Sequence, residues 1–372
     1  MIPPASNSFL RLMSVYSLYN AAGLVLGGIF EAYFYHLGLS LAEIVFTSAG
    51  LFAIPLLFLL LMRRFEARQS ILIGLAMNAL GGLLLAFFPN PATPFIARTV
   101  MGVAIFFFWM PMNIMFYEHA QKNNAFLGSL YYSVSAVLSL ILPALAGWIA
   151  FAFGYPAMFL AGVAMFAVNM VIAEAFVEPK TYSYDPLKSL RSISGLRTLF
   201  FVEGFSFVSI TQITLSAMIL LYFTDPVDFG GLLSAVTVFA VIASFVTARL
   251  SDHFGQRRTF LVAAAFGFLL AAIFTSFANG VALFFLGFGA ITFFRTMLLP
   301  LPLALAVDNS TSMVETMVGR EIMLDIGRVV AVLIGVALIL LFDIRAMLIM
   351  QTIAAALYIP LFELKKRKLA RF

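Results

Sequence analysis

The sequence predicts an all-α integral membrane fold of twelve transmembrane helices, arranged as two pseudo-symmetric six-helix bundles. Three observations carry that prediction. The 372 residues are 63% hydrophobic and only 10% charged, with a mean hydropathy of +1.05, whereas an ordinary soluble domain is about a quarter charged. Apolar runs recur along the whole chain at lengths that match the roughly 20 helical residues needed to cross a bilayer core of about 30 Å. One long polar stretch, Glu178 to Arg197, divides the chain near its midpoint.

Cutting the runs where charges, Pro or Asn interrupt them places spans at 10–36, 41–62, 70–88, 95–116, 125–150, 156–176, 198–223, 229–249, 259–277, 281–306, 317–341 and 344–362. The opening MIPPASNSFLRLMS lacks the basic start and short apolar core of a cleaved leader, so the first run is expected to stay as a helix. Ser40-Leu-Ala-Glu43 and Ser312-Met-Val-Glu315 have the spacing of capping boxes at the second and eleventh helices. Pro89, Pro91 and Pro94 fill the third connection. Of the 22 Lys and Arg, all but Arg98, Arg295 and Arg328 within spans and Arg345 in an outer loop fall on one side if the N-terminus is cytoplasmic. The positive-inside rule therefore predicts cytoplasmic N- and C-termini, and the short loops throughout suggest a cell (inner) membrane. The domains expected are an N-terminal bundle over 1–177, a cytoplasmic linker over 178–197, a C-terminal bundle over 198–364 and a basic tail over 365–372. Lys365-Lys-Arg-Lys368 reads as an anchor to anionic lipid.

Composition also excludes classes. There is no cysteine, and His36, His119 and His253 lie far apart, so no metal site and no thiolate nucleophile is expected. The pI near 9.5 comes from short basic clusters between apolar runs, which suits anionic lipid and gives no reason to expect nucleic acid. No G-x-x-x-x-G-K-[ST] motif is present, and no catalytic cluster marks a membrane face. The expectation is a non-enzyme with no cofactor, which uses an ion gradient.

The halves resemble one another: Met62-Arg-Arg-Phe-Glu-Ala-Arg-Gln after helix two aligns with Ser251-Asp-His-Phe-Gly-Gln-Arg-Arg after helix eight. Internal repeats of this kind characterise transporter folds, whose site lies between the halves. Three motifs then give a resemblance to the major facilitator superfamily over essentially the whole chain. Ala248-Arg-Leu-Ser-Asp-His-Phe-Gly-Gln-Arg-Arg258 is similar to that family's loop motif, Arg98-Thr-Val-Met-Gly102 to its helix-four element, and Pro143-Ala-Leu-Ala-Gly147 to the tail of its helix-five element. The first-half loop departs from the motif: Arg63 stands where the family has Asp, and Glu66 where it has Gly. The resemblance implies a major facilitator fold, a cavity role for Arg98, and a cytoplasmic gate in which Asp252 meets the start of helix five with Gly255, Arg257 and Arg258 alongside. Arg64, Arg68, Pro143 and Gly147 belong to the same expected gate. Arg63, having reversed the usual sign, is expected to meet Glu315 or Glu321 at the start of helix eleven; ordinary positive-inside charge is the alternative.

A charge at the bilayer midplane costs about 2.5–3.5 kcal/mol on insertion scales, so each one kept there needs a partner, water or a function. On helix four, Arg98, Gly102, Trp109 and Asn113 share a face; on helix one, Tyr16, Asn20, Gly27 and Glu31 do. Glu31 is a candidate proton carrier or a partner for Arg98, and a purely structural pair is the alternative. Gln212, with Ser209 and Ser216, lines a face of helix seven, and Arg295 sits mid-span on helix ten. Glu321, Asp325 and Arg328 stand at i, i+4 and i+7 on helix eleven, either as a relay or as a self-satisfied cluster. The 42 Phe and 18 Met admit a greasy multidrug pocket, although lipid contact accounts for most of them.

The function expected is a secondary active transporter, a monomer in the lipid bilayer. It moves a small, polar or anionic solute by alternating access, with protons as the coupling ion. Alternatives are a drug or metabolite exporter or a lysolipid flippase of the same fold, and, from another class, a transport-inactive sensor or scaffold.

Overall fold

A computed structural model describes residues 7–119, 133–207, 209–254, 257–299, 310 and 312–366 of the chain. The first span runs as α1 (Asn7–Gly27) and α2 (Phe30–His36). It breaks at Gly28-Ile29, where a Cβ on Gly28 would overlap the Leu24 carbonyl and lie 3.4 Å from Pro143 Cα. The break leaves Glu31 in the first turn of a new helix instead of midway along an old one. The second span, α3 (Leu41–Leu61), starts at the expected capping box: Ser40 Oγ accepts the Glu43 N–H, and the Glu43 carboxylate accepts the Ser40 N–H at 2.8 Å.

After β1 (Arg64–Glu66) come α4 (Ala67–Phe87) and α5 (Thr93–His119). Glu66 caps α4, its carboxylate accepting the N–H groups of Arg68 at 2.8 Å and Gln69 at 2.9 Å. The glutamate thus satisfies helix-end donors that a glycine would leave open. The fifth span covers Ser133–Phe153 and ends in α6 (Leu142–Phe153); α7 (Tyr155–Phe176) closes the first half.

The linker folds as β2 (Thr181–Ser183) and α8 (Pro186–Ser192), and β2 pairs antiparallel with β1. The second half holds α9 (Arg197–Ser206), α10 (Ile210–Ile219), α11 (Pro226–Phe254), α12 (Arg257–Ser276), α13 (Val281–Leu298), α14 (Met313–Leu341) and α15 (Ile344–Lys366). α9 and α10 are two pieces of one span. Ser209, at the break, has φ +67°, a left-handed backbone that side chains other than glycine rarely adopt. Irregular backbone at membrane depth is tolerated where it lines a cavity, and Ser209 does so.

Eleven described spans are long and apolar enough to cross a bilayer, and Val262–Ser276 is a shorter twelfth apolar helix. Within the halves, α4 packs on α5 and α7, and α9 on α14. Between them, α3 packs on α14 and α6 on α11. The second expected capping box forms only in part. Ser312 Oγ accepts the Glu315 N–H at 3.5 Å, but the Glu315 carboxylate is taken by Lys188 of α8 at 2.8 Å.

Candidate functional site

Between the halves lies a cavity of about 440 Å³. Glu31, Arg98 and Pro143 border it from the first half, and Gln212, Thr237 and Arg295 from the second. Arg98 Nη2 donates to Glu31 Oε1 at 3.1 Å, and both residues are buried. The guanidinium also lies 4.8 Å from the centre of the Phe30 ring and 5.5 Å from that of Phe34. Cation–π attraction to the two rings adds to the ion pair in holding it.

Across the cavity, Arg295 Nη1 donates to the neutral Gln212 Oε1 at 2.9 Å. No carboxylate lies within ion-pair distance of Arg295 among the described residues, and its Nε is buried without a hydrogen-bond partner. A guanidinium held this way keeps donors and charge for a ligand.

A second cavity of about 350 Å³ adjoins the first toward the linker, and Phe52, Ile105, Ser209 and Arg295 border both. The aromatic and amide residues Tyr16, Asn20, Trp109 and Asn113 form one wall, and Arg320, Glu321 and Arg328 the other. Tyr16 meets Trp109 edge to face at 5.9 Å, and Asn20 Nδ2 donates to the Tyr16 carbonyl at 2.8 Å. The faces expected on helices one and four therefore do converge. Gly102 is the exception: a Cβ there would lie 2.7 Å from the Gly50 carbonyl, so it serves the contact of α5 with α3.

On α14 the expected trio is part of a larger cluster. Arg328 Nη1 meets Asp325 Oδ1 at 2.5 Å and Glu321 Oε2 at 3.6 Å; Arg320 meets Glu321 at 2.8 Å and Glu203 of α9 at 2.6 Å. Asp325 stands behind Arg328, outside the cavity lining. Two members were not expected. Glu203 was legible as a carboxylate inside an apolar span, whereas Arg320 sits near a helix start and reads as an ordinary linker-side basic residue.

The gate expectations need correction. Arg63 meets neither Glu315 nor Glu321: it pairs with Asp185 of the linker at 3.1 Å, while Lys188 holds Glu315 and the two arginines hold Glu321. The linker returns to the first half and brings its own carboxylate to Arg63. Arg68 Nε donates to the Val177 carbonyl at 2.7 Å, and Arg64 lies in β1 opposite Ser183. Pro143 and Gly147 are not at the linker face. A Cβ on Gly147 would overlap the Pro226 carbonyl, and one on Gly230 the Pro143 carbonyl, at the opposite face where α11 begins. Of the gate expected at Asp252, Gly255, Arg257 and Arg258, Gly255 and the side chains of the other three lie outside what the structure describes.

No family sequence profile matches the chain, and no curated protein matches it in sequence. Solved structures do. A POT family transporter in complex with a thioalcohol-conjugated peptide superposes with a TM-score of 0.71 at 12% identity, covering 98% of this chain and 96% of that one. The human organic anion transporter MFSD10 gives 0.66 at 14%, covering 96% and 99%. The transporter FucP in its outward conformation gives 0.64 at 15%, covering 98% and 99%. The chain has the fold of the major facilitator superfamily.

Proposed function

We propose that the chain is a secondary transporter that carries a small anionic solute between its two halves by alternating access, coupled to protons. One observation supports this reading above the others: each half contributes a buried or half-buried arginine, Arg98 and Arg295, to a single cavity, and among the described residues Arg295 is held by a neutral amide alone. Among the described residues lining the two cavities or paired directly behind that lining, four guanidiniums (Arg98, Arg295, Arg320, Arg328) are matched by four carboxylates (Glu31, Glu203, Glu321, Asp325). An entering monoanion leaves such a group one charge short, and a proton taken up with it restores neutrality in a region where uncompensated charge is costly. The bundles proposed are 1–177 and 198–364, with the linker and both termini cytoplasmic in a cell membrane.

The test is internal pH in proteoliposomes while organic anions, sugars, amino acids and cationic dyes are supplied in turn. Proton movement driven by anions and lost in Arg295→Gln is the expected result. Movement driven by sugars or cations and indifferent to Arg295 removes the anion assignment, and silence with every solute in wild type removes the transporter reading.

A further inference from the structure

Glu203 is, with Asp325, among the most deeply buried charged residues described, at 1% exposure, and it does not line the central cavity. Its Oε1 accepts from Arg320 Nη2 at 2.6 Å, and its Oε2 is buried with no hydrogen-bond partner among the described residues. On α15 the Tyr358 hydroxyl is likewise buried without a partner among the described residues. Both side chains face one small void, closed by Phe207, Leu298 and Leu299, which has no volume open to a water-sized sphere. Two unsatisfied polar groups beside one another in a dry place are costly unless they meet.

They can meet in either of two ways. With Glu203 ionised, the tyrosine O–H donates to Oε2. With Glu203 neutral, its own O–H donates to the tyrosine oxygen. A carboxyl whose neighbour can serve as donor or acceptor takes up and releases a proton without stranding either group. The surrounding charge also favours exchange: Glu203, Glu321 and Asp325 face two guanidiniums, Arg320 and Arg328. Of the other elements packed on α9, α15 contributes Tyr358 and α10 has no titratable residue.

The geometry points to Glu203 as the binding site of the coupling proton, with Arg320 as the lever that reports its state to the anion cavity. Arg320 bridges Glu203 and Glu321, and Glu321 borders the cavity that Arg295 shares. When the proton binds, Glu203 loosens its hold on Arg320, whose charge then counts toward Glu321 and the cavity. The potential at Arg295 becomes more positive and an anion binds more tightly. By reciprocity the anion favours the proton, which makes the two travel together. The coupling half of this inference rests on the anion reading above; the protonation half does not.

Two measurements keep the halves apart. Infrared difference spectra between mildly acidic and mildly alkaline buffer, with no solute, should show a carboxylic C=O band that is missing in Glu203→Gln and moved in frequency in Glu203→Asp. A band that survives Glu203→Gln and disappears in Glu31→Gln or Asp325→Asn overturns the site, and so does the absence of any such band in wild type. Binding of benzoate, lactate and inorganic phosphate is then followed by Trp109 fluorescence against pH. Wild-type affinity for the anion that binds should fall about tenfold per pH unit above the transition, while Glu203→Gln stays flat at the tight, acidic-side value. A wild-type slope retained in Glu203→Gln overturns the coupling. If no anion binds to wild type at any pH, the anion reading fails and the infrared result still decides the proton site.

Discussion

Arg98 and Glu31 lie 67 positions apart in sequence, and their contact shows how a single buried charge is tolerated in this fold. Removing one partner leaves the other buried and uncompensated, which costs about 3–5 kcal/mol in the better-measured soluble cases. Glu31→Ala is therefore expected to lower thermal stability in detergent substantially, and the double variant with Arg98→Met to recover most of it. A double variant no more stable than the single one shows that the pair is not what holds these helices. Arg295 behaves differently because its partner is neutral. Arg295→Gln is expected to leave the melting temperature within a degree or two while reducing anion binding at least tenfold, read by fluorescence of Trp109 in the cavity wall.

At the scale of elements, the linker is a clasp with a side on each half. β2 joins β1; Lys180 and the Tyr182 hydroxyl both reach Glu118 at 2.7 and 2.8 Å; and Lys188 reaches Glu315 of α14. Asp185 caps α8, accepting the N–H groups of Leu187 and Lys188. The Lys188 N–H bond above all, then that of Leu187 and the charges of Arg63 and Arg191, hold its carboxyl below the usual carboxylate range. A depressed carboxylate stabilises the folded form above its unfolded value and loses that contribution as pH falls through the folded value. The clasp is thus expected to be intact at neutral pH and to loosen on acidification below about pH 4. Faster amide exchange over 181–192 in acid, absent in Asp185→Asn, is the observable. Gly319 offers a pH-independent check, since a Cβ there would overlap the Ser189 carbonyl of α8. Gly319→Val should undock α8 and raise exchange in the same segment at neutral pH.

For the whole molecule, the two faces close by different means. The linker face has the clasp and the α3–α14 packing, with ion pairs between long side chains. The opposite face has backbone against backbone, where Gly147 and Gly230 let α6 and α11 approach. Close-packed glycine contacts are sensitive to a single added methyl group. Gly147→Val is expected to shift the conformational equilibrium toward opening at that face. The chain has no cysteine, so Ser216→Cys in the cavity lining supplies a unique thiol. Its labelling by an impermeant maleimide from that face should quicken several-fold when Gly147→Val is added, and unchanged labelling would show that the glycine contact does not set the equilibrium.

What was legible in the sequence follows from one-dimensional properties. A run of about 20 apolar residues identifies a span wherever it sits, because every backbone polar group in lipid must be satisfied within the helix. The capping box at Ser40 was legible because its partners are three residues apart. The helical faces of Tyr16 with Asn20 and of Trp109 with Asn113 were legible from their spacing. The tertiary structure alone decided which charges meet: Glu31 with Arg98, Arg63 with Asp185 over 122 positions and Arg320 with Glu203 over 117. It alone also placed Pro143 and Gly147 at the face opposite the linker. Those outcomes depend on how far each helix is rotated about its axis and slid against its neighbour, and side-chain packing between helices sets both quantities, while span hydropathy is indifferent to them.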